Sequence, residues 1–200
     1  MRSDTDRNRR RLVAAAGVVV ARRGRHVKMA DIAEEADVSA ATGYRHFGSV
    51  DEVLAEFRYG VGRTLLEYSD ACEEAGLGLL RAVSRRWVEL VVAHGAAMIH
   101  TRSEIGYLER LRAGATYVTV QADALRRPIA EAAAELGVPD PAEHGIFLWN
   151  LLFDPREITD LITTVGLTEE QVSRRLVGAF CAAVAGWRAG PVPNWEQNRN

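Results

Sequence analysis

Apolar residues recur three and four positions apart along almost the whole chain, and no stretch alternates apolar with polar for long. That is the period of helices that bury one face, not of strands. Leu12, Val13, Ala16, Val19 and Val20 form one stripe, which predicts a helix from about Asp6 to Arg22, stopped by Gly24. Two short helices follow, about Met29 to Ala36 and Ser39 to His46, parted by Asp37-Val38. Ser49 and Glu52 have capping-box spacing and open a helix from about Val50 to Ala75. Gly76 and Gly78 separate it from a helix over about Leu79 to His94. A short element from about Ala96 to Glu104 then precedes a loop around Gly106.

The C-terminal half continues the pattern. A long helix is expected from Ala113 to Leu136, closed by Gly137 and Pro139, with a kink or break near Arg127 because Pro128 lies inside it. Asp140-Pro141-Ala142-Glu143 and Asp154-Pro155-Arg156-Glu157 share the order cap, proline, any residue, acid, which starts helices. The helix from Pro141 should therefore break near Phe153 and restart. Thr168 and Gln171 form another capping box, opening a helix with Val172, Leu176, Phe180, Ala183 and Trp187 on one face. Gly190, Pro191 and Pro193 end it, and a polar tail runs to Asn200. No internal repeat is apparent.

Composition adds limits. With 200 residues, 48% hydrophobic and 26% charged, the chain can bury a real core. Cys72 and Cys181 make neither a disulfide framework nor a metal-binding spacing, so a reducing, cytoplasmic location is expected. The longest apolar run, Val13 to Ala21 with Gly17 inside, is too short to span a bilayer, and no secretory signal pattern precedes it. Charge is unevenly placed. Residues 1–30 carry nine basic and two acidic side chains, a net of +7, whereas residues 31–200 sum to −9. A basic end on an acidic body suits a polyanion partner, and equally a solvated, arginine-rich helix face.

Enzyme motifs are missing. The sequence holds no G-x-S-x-G, H-E-x-x-H, P-loop or dinucleotide fingerprint. His100 and Glu104 sit four apart and with His94 would make a sparse zinc set. Lone cysteines are usually packing residues. No cofactor, metal or catalytic residue is expected.

The segment Lys28 to Phe57 is the informative one. Two short helices joined by a tight turn make a helix-turn-helix. Ile32 and Ala33 face its core, Ala36 is small where the helices cross, Val38 plugs the turn, and Ser39 caps the second helix. Tyr44 and Phe47 are expected to close the unit against the first long helix. These residues, with Thr42, His46 and Leu54 after an acidic helix start, resemble the DNA-binding domain of the TetR (tetracycline-repressor) family of transcriptional regulators. The motif match covers about residues 8–57. Four positions depart from the family pattern: Asp37 stands where glycine is usual and needs a left-handed backbone, and Gly43 replaces a bulky residue and should loosen the second helix. Lys28 replaces a Ser or Thr cap, and no lysine lies near Gly48-Ser49-Val50.

The resemblance implies an all-α fold. An N-terminal three-helix DNA-binding domain (1–50) would precede a helical effector-binding and dimerisation domain (51–190) and the polar tail (191–200). It implies that Ser39 to His46 enters the major groove of a double-stranded operator. Ala40 and Ala41 would meet thymine methyls, and Arg45 a guanine edge or a phosphate. Thr42, Tyr44 and His46 would contact the backbone, with Lys28 and Ser39 beside them. Arg2, Arg7 and Arg9 would reach the DNA backbone or minor groove. It implies a homodimer through the last two long helices, with Leu148, Leu152, Phe180, Val184 and Trp187 as candidates. It also implies a small-molecule effector among the central helices. Trp87, Met98, Tyr107, Tyr117, Phe147 and Trp149 would be its apolar wall, and His94, His100, Arg102 and Gln121 its polar contacts, for a neutral or anionic ligand. The function expected is repression relieved by that ligand. The alternative is a ligand-binding dimer whose DNA module is degenerate.

Overall fold

The computed structural model describes residues 2–99 and 105–188, apart from the side chains of Arg2, Ser3, Arg25, Ala96, Trp187 and Arg188. The described residues contain α-helices and no strand. In chain order the helices are α1 (Arg2–Arg23), α2 (Met29–Glu35), α3 (Ala40–His46), α4 (Val50–Ala71) and α5 (Gly76–Ile99). They continue as α6 (Tyr107–Arg112), α7 (Thr116–Glu135), α8 (Ala142–Leu152), α9 (Pro155–Thr163) and α10 (Glu169–Arg188). The polar tail from residue 189, and His100, Arg102 and Glu104, lie outside the described residues.

Local chemistry sets most of the boundaries. Gly24, at φ +62°, ends α1. Ser49 accepts from the Glu52 N–H at 3.2 Å and Asp154 from the Arg156 N–H at 2.8 Å, opening α4 and α9. Thr168 and Gln171 form the full reciprocal box, each accepting from the other's N–H at 3.2 and 2.9 Å. The box at α4 is shifted: the Glu52 carboxylate accepts from the Gly48 N–H at 2.8 Å, one residue before the cap. The break between α8 and α9 falls at Phe153, as expected.

Four expectations are corrected. First, α4 ends at Ala71, four residues early, and α5 begins at Gly76 and runs past His94 to Ile99. Gly76, at φ +55°, starts α5 from a left-handed backbone. The N-terminal N–H groups of α5 are capped from another helix: Glu131 accepts from Gly76 at 2.9 Å and Glu135 from Leu77 at 2.7 Å. Second, α6 occupies part of the expected loop around Gly106. Third, α8 begins one residue late, with Pro141 as its cap residue and Asp140 accepting from the Ala142 N–H at 2.8 Å. Fourth, α7 passes unbroken through Pro128. Proline has no N–H for the carbonyl four residues back, which is Ala124. The buried Ser69 hydroxyl on α4 donates to that carbonyl at 2.8 Å. A tertiary donor thus replaces the missing helical one.

The apolar residues form two clusters. The N-terminal one joins Leu12, Ala16 and Val19 of α1 to Met29 and Ile32 of α2, Phe47, and Val53 and Leu54 of α4. The larger one is built from α4 onward and includes Leu65, Leu80, Leu125, Trp149, Phe153 and Phe180. Phe57 packs against both. So α4 belongs to head and body together. α5 also reaches the head: Ala97 is buried in the N-terminal cluster, while its neighbour Met98 belongs to the other.

Candidate functional site

The turn between α2 and α3 is a Schellman motif. The Asp37 N–H donates to the Glu34 carbonyl at 3.0 Å and the Val38 N–H to the Ala33 carbonyl at 2.9 Å. That geometry needs a left-handed residue after the cap. Asp37 takes it, at φ +51°, as the glycine usual at this place in the resembled family implied. Its carboxylate pairs with Arg11 of α1 at 3.0 Å. Ile32, Ala33 and Ala36 are buried, and Val38 packs against the cluster. Ser39 caps α3, accepting from the Thr42 N–H at 3.1 Å, and its hydroxyl also bonds Thr42 Oγ1 at 2.9 Å.

Gly43 does not loosen α3 as expected. It is buried, and a Cβ there would meet Met29 Cγ and Sδ at 3.0 Å. The missing side chain lets α3 settle on Met29, so packing offsets the helix-propensity cost of about 1 kcal/mol. Lys28 has no acceptor to cap α2, but Asp31 turns back and accepts from the Lys28 N–H at 2.9 Å. Half of a capping box is therefore kept.

Outward from this scaffold, Lys28, Ser39, Ala40, Ala41, Tyr44 and Arg45 are exposed, and Thr42 is half-buried. Phe47 closes the unit, buried against α1 and α4. Tyr44 takes no part in that closure, since at 60% exposure its ring stands free of the core. His46 is half-buried, and its Nε2 is enclosed with no hydrogen-bond partner among the described residues. That nitrogen cannot reach a phosphate outside, which leaves only Nδ1 for the contact expected of His46.

The basic excess of residues 1–30 is largely answered within the head. Arg22 pairs with Glu35, Arg23 with Asp31 and Arg7 with Asp4. Arg9 lies over the Phe47 ring at 4.4 Å and pairs with Glu56 at 2.9 Å. Residues 1–57 hold ten basic and nine acidic side chains. Arg7 and Arg9, expected on DNA, are thus engaged inside the domain; the Arg2 side chain lies outside the described residues. These are exposed or half-exposed pairs, worth about 0–1 kcal/mol each, so DNA phosphates can compete for them.

The body contains a cavity of about 360 Å³. Trp87, Met98, Tyr107, Tyr117 and Gln121, all expected at a ligand site, line it together. Three other candidates do not. His94 lies toward the head, edge-on to Phe57 at 5.7 Å, because α5 continues past it. Trp149 is fully buried, stacked on Phe153 at 4.7 Å, with Nε1 near Ser84 Oγ at 3.4 Å. Phe147 is half-buried and does not line the cavity.

Among the described residues the cavity is lined by three cations missed in the sequence, Arg58, Arg110 and Arg156, and by Asp154. Arg58 lies over the Tyr117 ring at 4.3 Å. Burial lowers the Arg58 pKa from its ordinary value; Tyr117 opposes the shift and the Arg110 charge adds to it. Arg156 chelates Asp154 at 3.0 and 3.2 Å. The one legible signal was Arg58 itself, a cation next to Phe57 in a helix whose neighbouring turns bury Leu54, Val61 and Leu65. The Trp87 indole donates to the Phe153 carbonyl at 2.9 Å, which ties the cavity wall to the break between α8 and α9.

The side chains expected at the dimer interface are placed differently. Leu148, Phe180 and Val184 are buried in the subunit's own core, so they present no face to a partner. Leu152 is half-buried, and the Trp187 side chain lies outside the described residues. The outward positions on α8 and α10 include His144, Leu151, Arg175, Ala179, Ala182 and Gly186. Amphipathic spacing finds the buried stripe of a helix but not which protein surface covers the other.

Among the described residues no group of three His, Cys, Asp or Glu side chains could hold a metal ion, and no helix is long and apolar enough to cross a membrane. The geometry defines a helix-turn-helix head on an all-helical body. Residues 12–57 match the model of the bacterial regulatory proteins of the tetR family, so the N-terminal head is a domain of that family. A tetR-family transcriptional regulator from Streptomyces coelicolor shares the fold with a TM-score of 0.62 at 19% identity, over 92% of this chain and 85% of that one. A protein from Mesorhizobium loti described as a tetR-family regulator aligns with a TM-score of 0.56 at 17% identity, over 90% and 97%. The search of curated proteins returned no match.

Proposed function

We propose that this chain is a one-component transcriptional repressor that binds a two-fold operator as a homodimer and is released by a small molecule. The observation that carries the reading is α3. It is capped, closely packed on Met29 through Gly43, and it leaves Ala40, Ala41, Tyr44 and Arg45 exposed on a tetR-family domain. Arg45 is the long donor of the set and reads a base edge or holds a phosphate. With so few base readers, sequence-dependent DNA shape supplies part of the specificity. A single such helix buries little DNA, and a second copy supplies the other half-site. The outward positions of α8 and α10 supply the dimer face. The protein works in the cytoplasm with its operator and has no catalytic role.

Release follows from shared helices. Arg58 of the cavity wall adjoins Phe57, which packs on the head, and Met98 adjoins Ala97, which is buried in it. A ligand that shifts α4 or α5 therefore moves the head. It must bind the DNA-incompetent arrangement more tightly, or no population changes.

The test is fluorescence anisotropy of the purified protein against DNA tiled from its own upstream region, at several salt concentrations. Binding to one tile well above the others, weakening as salt rises, is expected. Equal, weak binding to every tile would place the ligand-binding reading with a degenerate DNA module ahead, a reading favoured by the internal pairing of Arg7, Arg9, Arg22 and Arg23.

A further inference from the structure

We propose that Glu56 is an electrostatic latch. In the free protein it holds the Arg9 guanidinium, and a DNA phosphate must displace it to use that cation. The proposal rests on the DNA-binding reading above, and not on the effector or the dimer.

Arg9 stands beside the reading helix. Its guanidinium lies over the ring of Phe47, 4.4 Å from the centroid, and Phe47 directly follows the last residue of α3. Arg22 and Arg23, which pair with acids of α2, lie about 20 Å further along α1 at about 1.5 Å per residue. Of these three arginines, Arg9 is the one placed at the junction of α3 and α4.

The Phe47 ring fixes one face of the guanidinium and leaves its donors around the edge of the plane. One edge nitrogen, Nη2, meets Glu56 Oε2 at 2.9 Å. A carboxylate and a phosphate present the same acceptor oxygens to that edge. The cation is therefore already placed, and two anions can occupy it. Glu52, one turn earlier on α4, is engaged elsewhere, because its carboxylate accepts from the Gly48 N–H at 2.8 Å.

The pair is open enough to exchange. The Arg9 and Glu56 side chains are 42% and 39% exposed, so salt screens their attraction and a phosphate has access. A buried pair would be a fixed strut instead. Glu56 also adjoins Phe57, which packs on both apolar clusters, so the latch rides on the helix that head and body share.

The experiment is a double-mutant cycle on the full chain, read by fluorescence anisotropy with a labelled mixed-sequence duplex and with any upstream tile that the parent prefers. E56Q frees Arg9 and should tighten DNA binding at least threefold at low salt. The gain should shrink as salt rises. Made on R9Q, the same E56Q change should gain less than twofold, because the cation it releases is gone. R9M, which keeps an apolar stem over Phe47, carries the cycle if thermal unfolding shows that R9Q is not folded. An equal gain with and without Arg9 would be the general effect of removing one negative charge, and it overturns the latch. So does E56Q binding no tighter than the parent.

The same titrations separate the latch from the reading beneath it. A parent that binds DNA, with E56Q no tighter, keeps the DNA-binding reading and removes the latch. A parent that binds no duplex even at low salt, with E56Q equally silent, removes both.

Discussion

Replacing Ser69 by alanine strips one oxygen from the seam between α4 and α7 and should cost far more than its size suggests. The Ala124 carbonyl has no helical donor, because Pro128 stands where that N–H would come from. The Ser69 hydroxyl supplies the bond at 2.8 Å, and the residue is only 3% exposed, so water cannot replace it. A buried polar group left without its partner costs about 1–3 kcal/mol. Taking about 2 kcal/mol, Ser69→Ala should lower Tm by roughly 4–8 °C for a chain of this size. The decisive comparison is with Pro128→Ala. Alanine there restores the N–H inside α7, and Ser69→Ala made in that background should cost less than about 1 kcal/mol. Thermal and urea unfolding of the four proteins give the coupling energy directly. A coupling of at least about 1 kcal/mol is expected, and equal costs in both backgrounds would refute the idea that Ser69 stands in for the missing N–H. The seam matters to function because it places Arg58 and Tyr117 face to face across the cavity wall.

Three further outcomes are open to test. Tyr44→Phe and Arg45→Ala should weaken operator binding with little change in Tm, since both side chains are exposed; Arg45→Ala should cost about 1–3 kcal/mol of binding and relax one base position if it reads an edge, and unchanged anisotropy curves for both would remove α3 as the recognition helix. Asp37→Gly removes the steric cost of a left-handed aspartate but also the exposed pair with Arg11, so urea midpoints should show a gain of no more than about 1 kcal/mol; a clear loss would mean the pair is stronger than its exposure implies. The Glu131 carboxyl is held below its ordinary pKa, first by the Arg127 side chain and then by the Gly76 N–H. Its contribution is therefore complete above the unfolded value of about 4.3 and is lost as pH falls through the lower folded value. Glu131→Gln should flatten the fall of Tm below about pH 4, and a profile identical to that of the parent would show that the cap on α5 carries no stability.

How much was legible depends on whether the cause is local. The capping residues Ser39, Ser49, Asp154 and Thr168 act within a few residues of themselves and were found from neighbours in the sequence; the left-handed Asp37 is equally local and came from the glycine usual at its place in the resembled family. Pro128 and Gly43 were misjudged for one reason. Proline breaks and glycine loosens when only the helix is considered, but Ser69 and Met29 arrive from other helices and reverse both effects. The cap of α5 by Glu131 and Glu135 was hidden in the same way, since 55 and 58 residues separate the partners.

The site divides along the same line. The face of α3 was readable because a helix of seven residues with one buried side leaves few choices for the other. Five of the candidates for the ligand site line one cavity, because side chains on adjoining helix faces converge by packing alone. The arginines were not readable, since a cation's burial is decided by what stands opposite it. The dimer candidates Leu148, Phe180 and Val184 show the same limit: they are buried within the subunit, and an apolar stripe states that a face will be covered but not by which surface. What the sequence determined by itself was most of the helices, the ends that carry their own caps, and the helix-turn-helix with the family of that domain. The tertiary structure decided which charges were enclosed and which apolar faces were used within one subunit. Hydrophobic burial has no direction, and the field at a charge sums over groups far apart in the chain.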